Sequence, residues 1–178
     1  METIRAPEDV NRAIDAMVNY IGDLVDKNEE WLLVGIANGG IPLAKRIAAL
    51  LKEKRGINLQ LGSINVNFHR DDIGSRPITN PKVPTLLPLE IDRSCVILVD
   101  DVVHSGRTTR AALEELFEQG RPRVTRLLTL VDRGNRVLPI QPDFSAMAVD
   151  LEDHQKLKVV VDPEDDQGNR IWITTNSE

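Results

Sequence analysis

The chain has one cysteine, Cys95, in 178 residues. A lone cysteine excludes an internal disulfide framework and a zinc site built from cysteines. Aromatic residues are scarce: two Trp, one Tyr and three Phe. Single-strand nucleic-acid platforms stack bases on clustered aromatics, so this composition argues against one. Positive charge is in deficit, with 22 Lys and Arg against 28 Asp and Glu and a formal net charge of −6. A surface cationic throughout is thereby excluded, while a local basic patch is not. The amino-terminal stretch METIRAPEDVNRAIDAM carries charges throughout and lacks an apolar centre. No secretory signal and no membrane span is visible, so a cytoplasmic location without a membrane partner is expected. Internal repeats and low-complexity tracts are absent as well.

What is present reads as an ordinary globular domain. Apolar residues make up 41% and charged residues 28% of the chain. A chain of this length buries roughly 70% of its unfolded surface and needs no covalent staple. One domain spanning 1–178 is expected. From Pro7 to Lys27 the apolar residues Val10, Ile14, Met17, Val18, Ile21, Leu24 and Val25 recur at steps of three and four, which predicts an amphipathic helix. Pro7 suits its first turn, and Glu8 and Asp9 suit the positive end of its dipole. The unbroken apolar run 31–37 predicts a strand buried on both faces. It ends in Asn38-Gly39-Gly40, and a helical pattern follows through Leu51. Residues 58–69 predict one strand, bulged near Gly62-Ser63. Regular structure is expected to stop from Arg70 to Glu90, a proline-rich stretch longer than ordinary connections and of the kind that forms lids.

Cys95 to Val99 predicts a second buried strand that runs into Asp100-Asp101. A helix is expected over Arg107–Glu118, stopped by Gly120 and Pro122. Leu127 to Val131 predicts a third buried strand, ending at Asp132-Arg133-Gly134. Residues 157–161 and 170–173 flank an acidic turn and predict an antiparallel hairpin. Strands alternating with helices imply an α/β fold: a mainly parallel twisted sheet flanked by helices, with a flap at about 70–90 and a small C-terminal hood. Ligands of such sheets bind beyond the carboxyl ends of the strands. Three of those ends carry polar chemistry here: Asn38-Gly39-Gly40, Asp100 to Thr108, and Asp132-Arg133-Gly134.

The segment Val96-Ile97-Leu98-Val99-Asp100-Asp101-Val102-Val103-His104-Ser105-Gly106-Arg107-Thr108 concentrates the chemistry. Adjacent carboxylates at a strand end are costly to bury without partners. As acceptors they suit a vicinal diol such as ribose hydroxyls. Small and hydroxylated residues opening a helix offer amides, hydroxyl donors and a favourable dipole to a phosphate. Together they describe a ribose-phosphate site. Each piece alone has another reading: strand-Asp-Asp also serves receiver-type domains that hold magnesium, and Ser-Gly-Arg-Thr also serves as a plain helix cap.

Val96 to Thr108 resembles the phosphoribosyl pyrophosphate (PRPP) signature of type I phosphoribosyltransferases. The stretches Gly35–Ala48, Phe68-His69-Arg70-Asp71-Asp72 and Val131–Ile140 resemble one branch of them, the pyrimidine operon regulator/uracil phosphoribosyltransferase (PyrR) family. The likeness covers nearly the whole chain. It implies that Asp100 and Asp101 hold the ribose hydroxyls of PRPP, and that His104 to Thr108 wrap its 5-phosphate. It implies that Asn38, Gly39 and Gly40 form the pyrophosphate loop, where glycines allow a backbone to approach an anion. Arg70, Asp71, Asp72 and Arg76 would belong to the flap. Arg70 would join Asp100 and Asp101 in catalysis, and a closed flap would keep water from the activated sugar. Val131, Asp132, Arg133 and Gly134 would line the base pocket through backbone groups. The implied reaction is uracil plus PRPP giving UMP and pyrophosphate, with Mg2+ carried by PRPP rather than by protein ligands. A phosphoribosyltransferase for another base, and an RNA-binding attenuator that senses UMP or UTP, are the alternatives. Homo-oligomers, dimers or larger, are also implied.

The sequence departs from the family pattern in two places. Family members commonly carry a basic residue in the pyrophosphate loop, in a Thr-Arg-Gly pattern, where this chain has Asn38-Gly39-Gly40. Losing a charge-assisted contact typically costs a few kcal/mol. The first helix also has Arg12 as its only base between Asn11 and Tyr20, where a leader mRNA would require basic surface. Another candidate patch is Arg121, Arg123, Arg126, Arg133 and Arg136, with Asp150, Glu152 and Asp153 following. For Arg133 and Arg136, ligand contact and an ordinary solvated charge stand as equal alternatives. His69 and His104 lack metal-ligand spacing, and Cys95 reads as core.

Overall fold

A computed structural model describes residues 2–26, 28–66, 84–88, 90–152 and 154–175. The chain opens with strand β1 (Glu2–Arg5), helix α1 (Pro7–Leu24), strand β2 (Trp31–Ile36), helix α2 (Gly40–Arg55) and strand β3 (Gln60–Ile64). Strand β4 (Cys95–Val103), helix α3 (Arg107–Gln119), β5 (Val124–Asp132) and β6 (Phe144–Ala148) follow. Strands β7 (Gln155–Val160) and β8 (Arg170–Thr175) end it, joined through a 3-10 turn at Asp166–Gly168. Five strands form a parallel sheet in the order β3-β2-β4-β5-β6. The expected hairpin β7-β8 is present, and β1 adds to it antiparallel.

The unbroken apolar strands are explained by two cores, one on each face. Leu33, Ile97, Val99 and Leu130 point to the side covered by α1 and α2, through Ile14, Met17, Ile21, Leu43 and Ile47. Leu32, Val34, Val96 and Leu98 point to the other side, against Ala111, Ala112 and Leu116 of α3. Successive side chains of a strand alternate faces, so a strand covered on both sides has no polar position to show.

Several boundaries differ from the sequence reading for local reasons. Helix α2 runs one turn beyond Leu51, because Lys52-Glu53-Lys54-Arg55 are good helix formers with no apolar period to reveal them. Gly56, at φ 65°, ends it. Strand β3 pairs with β2 without interruption from Gln60 to Ile64, so no bulge occurs at Gly62-Ser63. Strands β1 and β6 are too short and too mixed in polarity to have been expected. Phe68, His69, Arg70, Asp71, Asp72 and Arg76 lie outside the described residues. The far foot of the expected flap is described: Ser63 and Leu86 exchange both main-chain bonds at 2.8 Å, and the Thr85 hydroxyl accepts from the Asn65 amide. That foot is thus tied to the edge strand.

The small sheet is fastened to the helices by polar groups. Arg46 of α2 pairs with Asp166 at 2.6 Å. Asn169, wholly buried, donates to Asn11 Oδ1 of α1 and accepts from the Asp162 amide. A buried amide needs such partners on both sides.

Candidate functional site

The three chemically loaded strand ends lie side by side, because β2, β4 and β5 are neighbours in the sheet. Val103 sits opposite Asp132, and Val99 opposite Gly35, so the loops that follow these strands leave from one edge.

Asp100 and Asp101 lie within β4, not beyond it as the sequence suggested. Val96, Ile97, Leu98 and Val99 are wholly buried in the two cores. They hold the loop in place and present no surface to a ligand. Asp100 is 4% exposed and its carboxylate accepts the Asp101 amide at 3.0 Å. Asp101 in turn accepts the Val102 amide at 2.9 Å. Burial pushes the Asp101 carboxyl above its ordinary value, against the opposing effect of hydrogen bonds to the charged form.

The loop after β2 packs directly on these acids. A β-carbon on Gly39 would lie 2.2 Å from Asp101 Oδ2. One on Gly40 would lie 2.1 Å from the Val99 carbonyl oxygen. Real β-carbons do not approach so closely, so both positions need glycine for contact with the protein itself, besides any approach to an anion. The Ala37–Asn38 peptide is cis, and Asn38 is exposed at the tip.

After Val103 the chain turns into α3. Gly106 has φ 87°, a left-handed conformation open to glycine at little cost. The Ser105 hydroxyl accepts from the Arg107 amide at 3.3 Å. The Ser105 carbonyl accepts from the amides of Val137 and Leu138 at 3.1 and 3.0 Å. His104, Ser105 and Thr108 are partly exposed, and Arg107 is exposed.

The loop after β5 is shaped from within. The Arg133 amide donates to the Val103 carbonyl at 2.9 Å, and the Gly134 amide to Asp132 Oδ1 at 2.8 Å. The Asp132 carbonyl accepts from the Val149 amide. Burial opposes ionisation of Asp132, but the Arg136 guanidinium and the Gly134 amide outweigh it and hold the carboxyl below its ordinary value. Arg136 bonds to Asp132 Oδ2, to the carbonyls of His104, Gly134 and Ile140, and is only 17% exposed. It is not an ordinary solvated charge but a brace between loops. The spacing Asp132…Arg136 was the available signal, but the carbonyl partners leave no trace in sequence.

Arg123, Arg126 and Arg133 of the candidate basic patch are likewise engaged within the chain. Arg123 pairs with Glu29 and lies 2.9 Å from Cys95 Sγ. Arg126 pairs with Asp143 at 2.7 Å. Arg133 donates to the Gln155 carbonyl at 3.0 Å. Cys95 is buried, as expected, and burial together with Glu29 raises its thiol pKa. Among the described residues no group of three or more His, Cys, Asp or Glu could hold a metal ion. Nor is any described helix long and apolar enough to cross a membrane.

The phosphoribosyl transferase domain family matches residues 3–165. A protein of Synechocystis named Bifunctional protein PyrR is 38% identical, over 91% of this chain and 90% of its own. One of the same name from Caldicellulosiruptor bescii is 37% identical, over 97% and 96%. Among solved structures, a hypoxanthine-guanine phosphoribosyltransferase from Bacillus anthracis superposes with a TM-score of 0.63 at 17% identity, covering 85% of this chain and 84% of that one. A purine phosphoribosyltransferase from Pyrococcus horikoshii gives 0.58 at 22% identity, covering 79% and 83%. Those structures show the fold, that of type I phosphoribosyltransferases. With its parallel sheet, its acidic strand end and relatives matched along almost its whole length, the chain belongs to the phosphoribosyl transferase domain family and, within it, to the PyrR proteins.

Proposed function

We propose that this protein is a uracil phosphoribosyltransferase, transferring the phosphoribosyl group of PRPP to uracil to give UMP and pyrophosphate. The observation that carries it is the closure of the glycine loop on the acid pair, Gly39 against Asp101, beside a helix-opening phosphate loop. In this reading Asp100 and Asp101 accept the ribose hydroxyls. Residues His104, Ser105, Gly106, Arg107 and Thr108 receive the 5-phosphate at the start of α3. Asn38, Gly39 and Gly40 face the pyrophosphate. Val131, Asp132, Arg133 and Gly134 form the base side. The Arg133 and Gly134 amides are already spent within the loop, so the pyrimidine edge is read by other groups there.

The chain's part in the reaction is placement and charge. Breaking the C1–pyrophosphate bond develops positive charge on the sugar and negative charge on the leaving group, and uracil N1 forms the new C1 bond as its N–H proton passes to the departing pyrophosphate or solvent. The carboxylates lie on the sugar side, where they hold its hydroxyls and complement the cation. No protein nucleophile is required. Mg2+ fits as a companion of PRPP: two adjacent carboxylates without a third described ligand make a poor cage for an ion on their own. Bound with the substrate, it supplies charge neutralisation at the leaving pyrophosphate. Arg70, with Arg76, Asp71 and Asp72, belongs to the proposed flap. A single domain over 1–178, a cytoplasmic location and a homo-oligomeric state go with the proposal.

The relatives' name, bifunctional, favours a second activity, and a leader mRNA is the partner we assign to it. The engaged arginines of the candidate patch make this the weaker activity of the two. Pyrophosphate release from PRPP and Mg2+ across a panel of bases tests the main proposal. Turnover with uracil supports it. PRPP binding with no turnover of any base, or turnover with purines alone, contradicts it.

A further inference from the structure

Arg136 takes no part in the reaction proposed above, yet its guanidinium makes four hydrogen bonds beside the site. Its Nε donates to the Ile140 carbonyl at 2.9 Å. One terminal nitrogen donates to the His104 carbonyl at 3.0 Å and the Gly134 carbonyl at 3.2 Å. The other reaches Asp132 Oδ2 at 2.8 Å. A guanidinium offers five N–H donors in a rigid planar fork. Those four contacts occupy all but one of them, so Arg136 is committed chiefly to the protein itself. Its acceptors fall into two groups. His104 begins the loop that opens α3; Asp132 ends β5, and Gly134 and Ile140 belong to the loop after it. The same two loops share the bonds Arg133 N to Val103 O, and Val137 N and Leu138 N to Ser105 O.

We infer that Arg136 is a positioning residue that sets the separation between the base side and the 5-phosphate side of the nucleotide site. The inference rests on the function proposed above. A nucleotide carries base and phosphate at a spacing fixed by its own bonds. A protein that presets the same spacing gains both contacts from one binding event. If the spacing is loosened, a ligand that meets both loops loses affinity, while a ligand that meets one loop does not. UMP meets both. Ribose 5-phosphate, lacking the base, meets only the phosphate side.

Calorimetric Kd values for UMP and for ribose 5-phosphate, on the full chain and on Arg136→Gln and Arg136→Lys, test this alongside melting temperatures. The expected result is about a tenfold loss of UMP affinity in Arg136→Gln with ribose 5-phosphate held within about twofold. Arg136→Lys keeps a charge for Asp132 but cannot reproduce the fork, and falls between. Equal loss of both ligands, or an unchanged preference for UMP, overturns the inference. If Arg136→Gln does not fold, the same ratio in Arg136→Lys decides. An unaltered protein that binds UMP no tighter than ribose 5-phosphate overturns the function proposal and this inference with it. A normal preference that survives in the variants overturns the inference alone.

Discussion

Gly39 leaves no room for a side chain above Asp101: the nearest carboxylate oxygen would lie 2.2 Å from its β-carbon. The loop after β2 and the acids of β4 are thus one packed unit. Gly39→Ala must displace either the loop or the carboxylate, by an ångström or so. A displacement of that size at reacting groups costs on the order of 100-fold in rate. Steady-state kinetics of the variant should show that loss in kcat/KM for PRPP, with the fold retained by circular dichroism.

A β-carbon on Gly40 would meet backbone instead, 2.1 Å from the Val99 carbonyl oxygen, and backbone cannot rotate away. Gly40→Ala should therefore be a stability variant. Overpacking of this kind costs about 1–3 kcal/mol, measurable as a fall in the denaturant midpoint.

Asp101 should reveal itself in pH dependence. Burial raises its carboxyl above the ordinary value. A raised carboxyl stabilises the fold below its unfolded value, and that contribution is lost as pH rises through the folded value. Above that folded value the ionised group carries the penalty of burial, which a neutral isostere removes. Asp101→Asn should therefore gain in melting temperature over the parent as pH rises, with the difference vanishing in acid. The same variant should lose at least about tenfold in PRPP affinity, because hydroxyl bonds to a charged acceptor are lost. In the parent, PRPP affinity should fall on acidification at a higher pH than an ordinary aspartate would give. A melting-temperature difference that does not grow with pH would contradict the burial account.

Asn38 stands exposed, at the position where the family resemblance leads one to expect a basic residue. Asn38→Arg adds a guanidinium at little steric cost, beside the expected pyrophosphate. Charge-assisted bonds predict about a tenfold gain in pyrophosphate affinity, shrinking as salt is added. No gain at low ionic strength would place the pyrophosphate elsewhere.

The fold was legible where the sequence speaks in apolar runs. Trp31–Ile36 and Cys95–Val99 read as doubly buried strands because both faces are covered, and the glycine and acidic punctuation that follows marked the ligand edge. Phe144–Ala148 was silent: an edge strand covered on one side shows no unbroken run, and five residues give too short a period. The acid pair was placed past the strand because carboxylates break the apolar pattern, though β4 continues through them to Val103. The glycines were read as room for an anion. Their contacts with Asp101 and Val99 depend on neighbours some 60 positions away, which no local pattern encodes. Arg136 was undecidable for the same reason, since its partners are mainly carbonyl oxygens and every residue has one.

Conversion of labelled uracil to UMP, with PRPP and Mg2+, by the parent and Asp101→Asn in parallel, tests the central claim most directly. The account predicts UMP formed in step with pyrophosphate by the parent, and little by the variant. A parent that binds PRPP but forms no UMP, or a variant that forms it at the parental rate, would contradict the account.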